Sequence, residues 1–303
     1  MEGSLPKIGW IGLGIMGKPM CQYLMKAGYE VSIFNRTKSK VEDVIALGAK
    51  FLQPEEVAAN SDIVFLMLGY PTDVRETALG TPGIINHMKS GSILVDHTTS
   101  SPSLAQEIYE KCKEKGIASI DAPVSGGDVG AKNGTLVVMC GGDAEPFEKA
   151  KVVMQKYSST IKLLGKAGNG QHTKMCNQIN IASTMLGVVE GLLYGYKAGL
   201  DLNDMIDTIE GGAAASFSLK VLGRRMVNRN FDPGFFVEHF VKDMSIALEE
   251  AARANLCLPG LSLVKQFYQA LMAQGGAKYG TQGLLLALEK LNNVEVISKK
   301  EEQ

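Results

Sequence analysis

Short apolar runs alternate with amphipathic stretches through the first half of the chain, a pattern that predicts a parallel sheet covered by helices. The first run, Lys7-Ile8-Gly9-Trp10-Ile11, passes into a helical pattern over Lys18 to Ala27 that Gly28 closes. Further β-rich runs lie at Glu30 to Phe34, Asp62 to Leu68, Ser92 to Asp96, Gly116 to Asp121 and Leu136 to Cys140, each bounded by Gly, Pro, Asn or Ser. Between them, Pro102 to Lys115 reads as a second amphipathic helix, closed by Gly116. Together these predict a doubly wound α/β domain.

Around Gly165-Lys166-Ala167-Gly168-Asn169-Gly170 the pattern changes to long helical stretches, punctuated near Gly211-Gly212, Asp232-Pro233-Gly234, Pro259-Gly260 and Gly275-Gly276. A boundary there gives residues 1–166 as the α/β domain and 167–303 as an all-helical domain. Gln171 to Ala198 predicts one helix of about 28 residues, about 42 Å long. Its Gly187, Gly191 and Gly195 recur every fourth residue, and close packing of this face against another helix is expected. The tail Ser298-Lys299-Lys300-Glu301-Glu302-Gln303 is expected to fray.

At 303 residues, 45% hydrophobic and 21% charged, the chain has room for about two domains of ordinary globular composition. A net charge of -1 with no basic block argues against a nucleic-acid partner. The five cysteines, Cys21, Cys112, Cys140, Cys176 and Cys257, are scattered and form no Cys-x-x-Cys pair, which disfavours zinc and a disulfide framework and favours a reducing compartment. No apolar run reaches the roughly 18 residues of a membrane span, and Met1-Glu2-Gly3-Ser4 leads almost directly into the first strand. A cytoplasmic location is expected, or an organellar one after removal of a targeting peptide.

Chemistry enters with Gly12-Leu13-Gly14-Ile15-Met16-Gly17, a Gly-x-Gly-x-x-Gly turn between a strand and a helix. The first glycine allows the tight turn, the second lets backbone N–H groups approach a pyrophosphate, and the third lets helix and strand pack closely. The helix N-terminus supplies positive potential for the phosphates. About 20 residues on, NAD-preferring domains place an acidic residue for the ribose hydroxyls. Here the second strand ends Phe34-Asn35-Arg36-Thr37-Lys38, where Arg36 can pair with a 2′-phosphate, Thr37 can donate a hydroxyl and Lys38 adds charge. That predicts NADP over NAD.

Two further segments follow strands. Asp121-Ala122-Pro123-Val124-Ser125-Gly126-Gly127 offers a serine hydroxyl and backbone N–H groups to an anion such as a substrate carboxylate, although a Gly-rich turn alone explains it as well. Gly165-x-x-Gly168-x-Gly170-x-x-x-Lys174 sets a lysine near the start of the long helix; in a half-buried cleft it would serve as a general acid and base, on a surface as a solvated charge. His87, His97, His172 and His239 lack paired metal spacing and read as structural, so no metal is expected. Ser125 lacks a Gly-x-Ser-x-Gly elbow, and no hydrolase triad is visible.

The glycine turn with Lys18-Pro19-Met20, the Asp121 to Gly127 segment and the segment ending at Lys174 together resemble the β-hydroxyacid dehydrogenase family, almost end to end. This family includes 3-hydroxyisobutyrate dehydrogenases, tartronate semialdehyde reductases and glyoxylate/succinic semialdehyde reductases. The resemblance implies an N-terminal Rossmann domain, an all-α C-terminal domain and an active site between them. It implies that Lys174 is catalytic, that Ser125, Gly126 and Gly127 hold the substrate carboxylate, and that Lys242 and Asp243 contact cofactor and substrate respectively. Thr99 matches a threonine near the nicotinamide, and Leu68 and Gly69 match backbone that passes the cofactor, alongside Asn35, Arg36 and Thr37. Relatives carry an asparagine four residues after the lysine, whereas here Asn177 stands at three and Gln178 at four, so either can supply the amide.

The implied reaction is NADP-dependent hydride exchange with a short β-hydroxyacid or semialdehyde. Whether the substrate pair is 3-hydroxyisobutyrate with its semialdehyde, or a glyoxylate or succinic semialdehyde couple, stays open. A non-catalytic NADP-binding module is the alternative of another class, and decarboxylating sugar-acid dehydrogenases have a longer C-terminal domain. A homodimer or homotetramer is expected.

Overall fold

The computed structural model describes residues 5–296; the Met1–Ser4 lead and the Ser298–Gln303 tail, read above as fraying, lie outside the described residues. The chain divides into two compact units between Lys174 and Met175. In the N-terminal unit, β1 (Ile8–Ile11), β2 (Val31–Phe34), β3 (Lys50–Phe51), β4 (Ile63–Leu66), β5 (Ile93–Asp96) and β6 (Ala118–Asp121) form one sheet in the order β3-β2-β1-β4-β5-β6. All of its pairings are parallel, with Ile8 opposite both Val31 and Ile63. The helices of this unit are α1 (Gly17–Lys26), α2 (Glu42–Ala46), α3 (Pro54–Ala59), α4 (Pro71–Leu79), α5 (Pro102–Lys113), α6 (Gly127–Asn133) and α7 (Ala144–Met154). A second sheet joins β7 (Val124–Ser125), antiparallel, and β9 (Ser158–Leu163), parallel, to the central β8 (Leu136–Cys140).

The central strands β1 and β4 carry no polar side chain because both faces of the sheet are covered. Side chains alternate between faces with period two. Ile63 and Phe65 of β4 therefore join one core with Trp10 and Tyr157, while Val64 and Leu66 join another with Ile84 and Leu104. The sequence pattern missed β3, β7 and β9. Two of these have only two residues, and β9 carries Ser158, Ser159, Thr160 and Lys162, so it lacks the apolar content that marks a buried strand. The run expected over Asp62 to Leu68 pairs only to Leu66, because Leu68 turns its N–H to the Thr98 hydroxyl at 2.8 Å.

The C-terminal unit is helical, with α8 (Asn169–Lys197) beginning in the first unit and continuing into it, then α9 (Leu202–Ile209), α10 (Arg224–Val227), α11 (Val237–Arg253), α12 (Pro259–Ala273) and α13 (Leu284–Asn292). Pro259-Gly260, read above as loop punctuation, instead opens α12, where proline suits the first helical position. The glycine stripe of α8 also departs from expectation. A Cβ on Gly187 or Gly191 would meet nothing within 4 Å, whereas one on Gly195 would lie 2.8 Å from Met205 Sδ of α9. Gly195 therefore packs against α9, whereas Gly187 and Gly191 lie exposed and take no part in that contact. No helix among the described residues is long and apolar enough to cross a membrane.

His97, which follows β5, is fully buried against Trp10, Phe65 and Tyr157. Its Nδ1 lies 2.6 Å from the Ala122 carbonyl, which can only accept, so Nδ1 carries the proton and Nε2 accepts from Tyr157 Oη at 2.9 Å. Burial pushes its pKa from 6.5 down to about 4. Between those values the unfolded chain binds a proton that the folded chain does not, so this group's stabilisation is complete above 6.5 and disappears as pH falls towards 4. Urea unfolding of the wild type and His97→Phe across that range should show the wild type's advantage growing with pH by up to about 3 kcal/mol. A gap independent of pH would contradict this account.

Candidate functional site

The predicted glycine turn stands at the end of β1. Gly12 has φ +96°, and a Cβ there would lie 2.2 Å from the Met67 carbonyl oxygen. Gly17 is equally constrained, because its Cβ would meet Gly12 O at 2.1 Å, but Gly14 is exposed and a Cβ there would touch nothing within 4 Å. The loop is tied down by Trp10 Nε1 donating to Gly12 O at 3.0 Å and by Leu13 N–H donating to Asn35 Oδ1 at 3.0 Å. Asn35 Nδ2 in turn donates to Thr37 O at 2.8 Å. The first turn of α1 has neither a capping side chain nor an acidic residue, so its N–H groups suit an anionic ligand. A dinucleotide pyrophosphate fits this cradle.

Beyond β2, Arg36 and Thr37 are exposed, and no carboxylate stands at the strand end. Lys38 lies with Nζ 5.0 Å from the Phe51 ring centroid, so it rests on an aromatic face there.

At the far side of the sheet the structure links two motifs that are 47 residues apart in sequence: Asp121, at the end of β6, accepts the N–H of Gly168 through Oδ1 and that of Gln171 through Oδ2, both at 2.8 Å. This carboxylate caps the first turn of α8, the helix that carries Lys174. Gly170 is required there, since a Cβ would lie 2.4 Å from Met139 O and 2.6 Å from Asp121 O. Burial raises the Asp121 pKa from 3.8 to about 6, opposed by the N–H groups it accepts.

Lys174 is 7% exposed, and its Nζ donates to the Val124 carbonyl at 2.9 Å. Ser125 follows Val124 on β7, and Gly126 (φ +124°) and Gly127 (φ +62°) turn the chain into α6. The lysine and the Ser125-Gly126-Gly127 loop are therefore neighbours. Leu68 is held by Thr98; Gly69 is the next residue, and half-buried Thr99 stands in the turn after β5.

In the C-terminal unit, a second polar group forms around Asp243 of α11, which is fully buried. Gln178 Nε2 donates to its Oδ2 at 2.6 Å, and Asn177 Nδ2 donates to Gln178 Oε1 at 2.8 Å. Lys242 Nζ faces Oδ1 as an ion pair at 2.9 Å, without hydrogen-bond alignment. The two amides are thus not interchangeable: buried Gln178 reaches the carboxylate, and half-buried Asn177 supports it. A cavity of about 540 Å³ elsewhere in this unit, lined by Arg229, Tyr279, Glu289 and Lys290, contains none of the predicted site residues. Among the described residues no three His, Cys, Asp or Glu side chains cluster to hold a metal.

Sequence reading did not single out Asp121, Thr98 or Gln171 for what they do. Each makes a bond across a long sequence separation, and the one local hint is a carboxylate at a strand end just before Ala122-Pro123.

Residues 7–165 match the family model for the NAD-binding domain of 6-phosphogluconate dehydrogenase, and residues 168–288 match that for the NAD-binding of NADP-dependent 3-hydroxyisobutyrate dehydrogenase. The chain is 51% identical over 297 residues to a probable 3-hydroxyisobutyrate dehydrogenase-like 1, mitochondrial, from Arabidopsis thaliana, covering 97% of this chain and 89% of the relative. It is 35% identical to the 2-hydroxy-3-oxopropionate reductase of Escherichia coli, covering 95% and 98%. Among solved structures, the 3-hydroxyisobutyrate dehydrogenase of Mycobacterium tuberculosis with L-serine superposes with a TM-score of 0.85 at 28% identity, covering 94% of this chain and 99% of that one.

The glycine turn yields a contrast that separates folding from binding. Gly14→Ala should keep stability within about 0.5 kcal/mol yet weaken dinucleotide binding at least about tenfold. Gly17→Ala should cost about 1–3 kcal/mol or more through its collision with Gly12 O. Thermal unfolding and cofactor titration of both variants measure this, and equal stability losses would remove the distinction.

Proposed function

The chain belongs to the β-hydroxyacid dehydrogenase family, and from that premise we propose that it interconverts a short β-hydroxyacid and its semialdehyde with NADP, Lys174 acting as general acid and base. Its class is that of nicotinamide-dependent oxidoreductases acting on CH–OH groups; the lysine, the substrate and the choice of NADP are our reading. The observation that carries it is the buried Lys174, held on Val124 O at 2.9 Å directly beside Ser125 and its two glycines.

When bound, the nicotinamide accepts or supplies the hydride. Lys174 then handles the proton: it takes the substrate hydroxyl proton during oxidation and returns one to the carbonyl oxygen during reduction. Its bond to Val124 O fixes where Nζ points, so little reorientation precedes transfer. Ser125 and the N–H groups of Gly126 and Gly127 receive the substrate carboxylate. Gln178, one helical turn beyond the lysine and braced by Asn177, takes the amide role, with Asp243 contacting substrate and Lys242 the cofactor. Gly12 to Gly17 receive the pyrophosphate, Asn35 fixes that loop, Leu68, Gly69 and Thr99 line the cofactor's course, and Arg36 with Thr37 selects the 2′-phosphate.

Arabidopsis and mycobacterial relatives bearing 3-hydroxyisobutyrate dehydrogenase names support a branched hydroxyacid, and the Escherichia coli relative supports a hydroxy-oxoacid. Self-association as a homodimer or homotetramer belongs to the same reading, supported by exposed Gly187, Gly191 and Tyr194 on α8. The five cysteines, all free, suit a reducing compartment such as the cytoplasm.

Initial rates with NADPH and NADH against methylmalonate semialdehyde, 2-hydroxy-3-oxopropionate, glyoxylate and succinic semialdehyde test the reaction; cofactor binding without turnover of any would favour the non-catalytic module. Lys174→Ala should lower kcat by about 10²–10⁴ while leaving NADPH binding within about twofold. Retained turnover would remove the lysine from the chemistry. Arg36→Ala should weaken NADPH at least about tenfold and NADH little, and equal effects on both would discard the 2′-phosphate assignment.

A further inference from the structure

Gln171 is fully buried in the first turn of α8, yet nothing in the proposed chemistry uses it. Its carboxamide bridges the turn after β5: Oε1 accepts the Ser100 N–H at 3.0 Å and Nε2 donates to Thr98 O at 2.7 Å. Both amide atoms are thereby committed, and the residue between the two anchored ones is Thr99. Ser100 Oγ, itself buried, makes no hydrogen bond, so its backbone N–H is the point at which this residue is held. Thr98 extends the link, since its Oγ1 accepts the Leu68 N–H at 2.8 Å and its own N–H donates to Asp96 Oδ1 at 2.9 Å.

These bonds connect the carboxyl ends of β4 and β5 to the start of α8. In a doubly wound sheet the ligand crevice lies outside the carboxyl ends of the strands at the switch point, here where β1 stands next to β4. Gln171 also stands one turn before Lys174 on the same helix. Its main-chain N–H donates to Asp121, so its backbone is fixed from a third direction.

We propose that Gln171 is a positioning residue: its carboxamide sets the Thr98–Ser100 turn against the helix bearing Lys174, and so fixes the seat of the reactive end of the cofactor relative to the proton donor. The inference rests on the nicotinamide-dependent chemistry proposed above. The role is a matter of orientation, because the side chain is closed off by the two backbone groups it bridges.

Gln171→Met keeps the length and removes both hydrogen bonds; Gln171→Glu keeps an acceptor for Ser100 and loses the Thr98 donor. For Gln171→Met, kcat should fall at least about tenfold with the KM for cofactor within about twofold. The fluorescence enhancement of the nicotinamide ring on binding NADPH should fall with it, at unchanged affinity. Gln171→Glu should be intermediate, and is the variant to read if Gln171→Met does not fold. Unchanged kcat and nicotinamide emission would overturn the proposal. So would a loss matched by equal falls in cofactor affinity and thermal midpoint, which marks a merely structural residue. Wild-type protein that binds NADPH but reduces no aldehyde sinks the proposed reaction alone, and the emission of the bound nicotinamide still decides the role of Gln171. Wild-type protein that binds no NADPH overturns both.

Discussion

One buried carboxylate ties the sheet of the N-terminal unit to the helix that carries Lys174. Asp121 ends β6, accepts N–H groups from the first turn of α8, and so fixes where that helix starts and which way it leaves the sheet. A helix leaves its first N–H groups without internal partners, and a side chain that accepts them stabilises the terminus. Here the acceptor arrives from a strand 47 residues earlier, at 4% exposure. The location of Lys174 one turn further on, and its reach to Val124 O, follow from that anchor.

The arrangement has an electrostatic cost that the fold tolerates. Withdrawing a carboxylate from water disfavours its charged form, and for Asp121 this outweighs the stabilising N–H groups, lifting the pKa to about 6. Folded Asp121 thus holds its proton at pH values where the unfolded chain has released it, so as pH rises from 3.8 to about 6 this group withdraws stability. His97 acts in the opposite sense over an overlapping range, its stabilisation lost as pH falls from 6.5 to about 4. The two buried groups, both touching the segment from Asp121 to Ala122, partly offset each other in acid.

Much of this was legible in the chain. The apolar runs of β1, β2, β4, β5 and β6 mark themselves because both faces of their sheet are buried, that of β8 because all of it but Val137 is buried, and the Gly12 to Gly17 turn announces itself because its constraints are local. Strands β3 and β9 did not, being respectively too short and too polar to differ from loop. In the candidate site, Lys174 and the Ser125 loop were visible as motifs, whereas the Gln171 and Asp121 bonds span 71 and 47 residues and exist only once the sheet has formed. The bond from Gln178 to Asp243, 65 residues downstream, and the support it takes from Asn177 were likewise invisible.

Trp10 is the only tryptophan in the sequence. Its indole is fully buried, lies stacked on Phe65 with ring centroids 5.1 Å apart, and is bonded through Nε1 to the carbonyl of Gly12. The tryptophan emission of the whole chain therefore comes from a single dry site coupled to the glycine turn. A lone fluorophore in such surroundings emits at the blue end of its range, and its indole N–H senses the very peptide group around which the glycine turn is built. The molecule carries its own optical gauge of that loop, with no label attached.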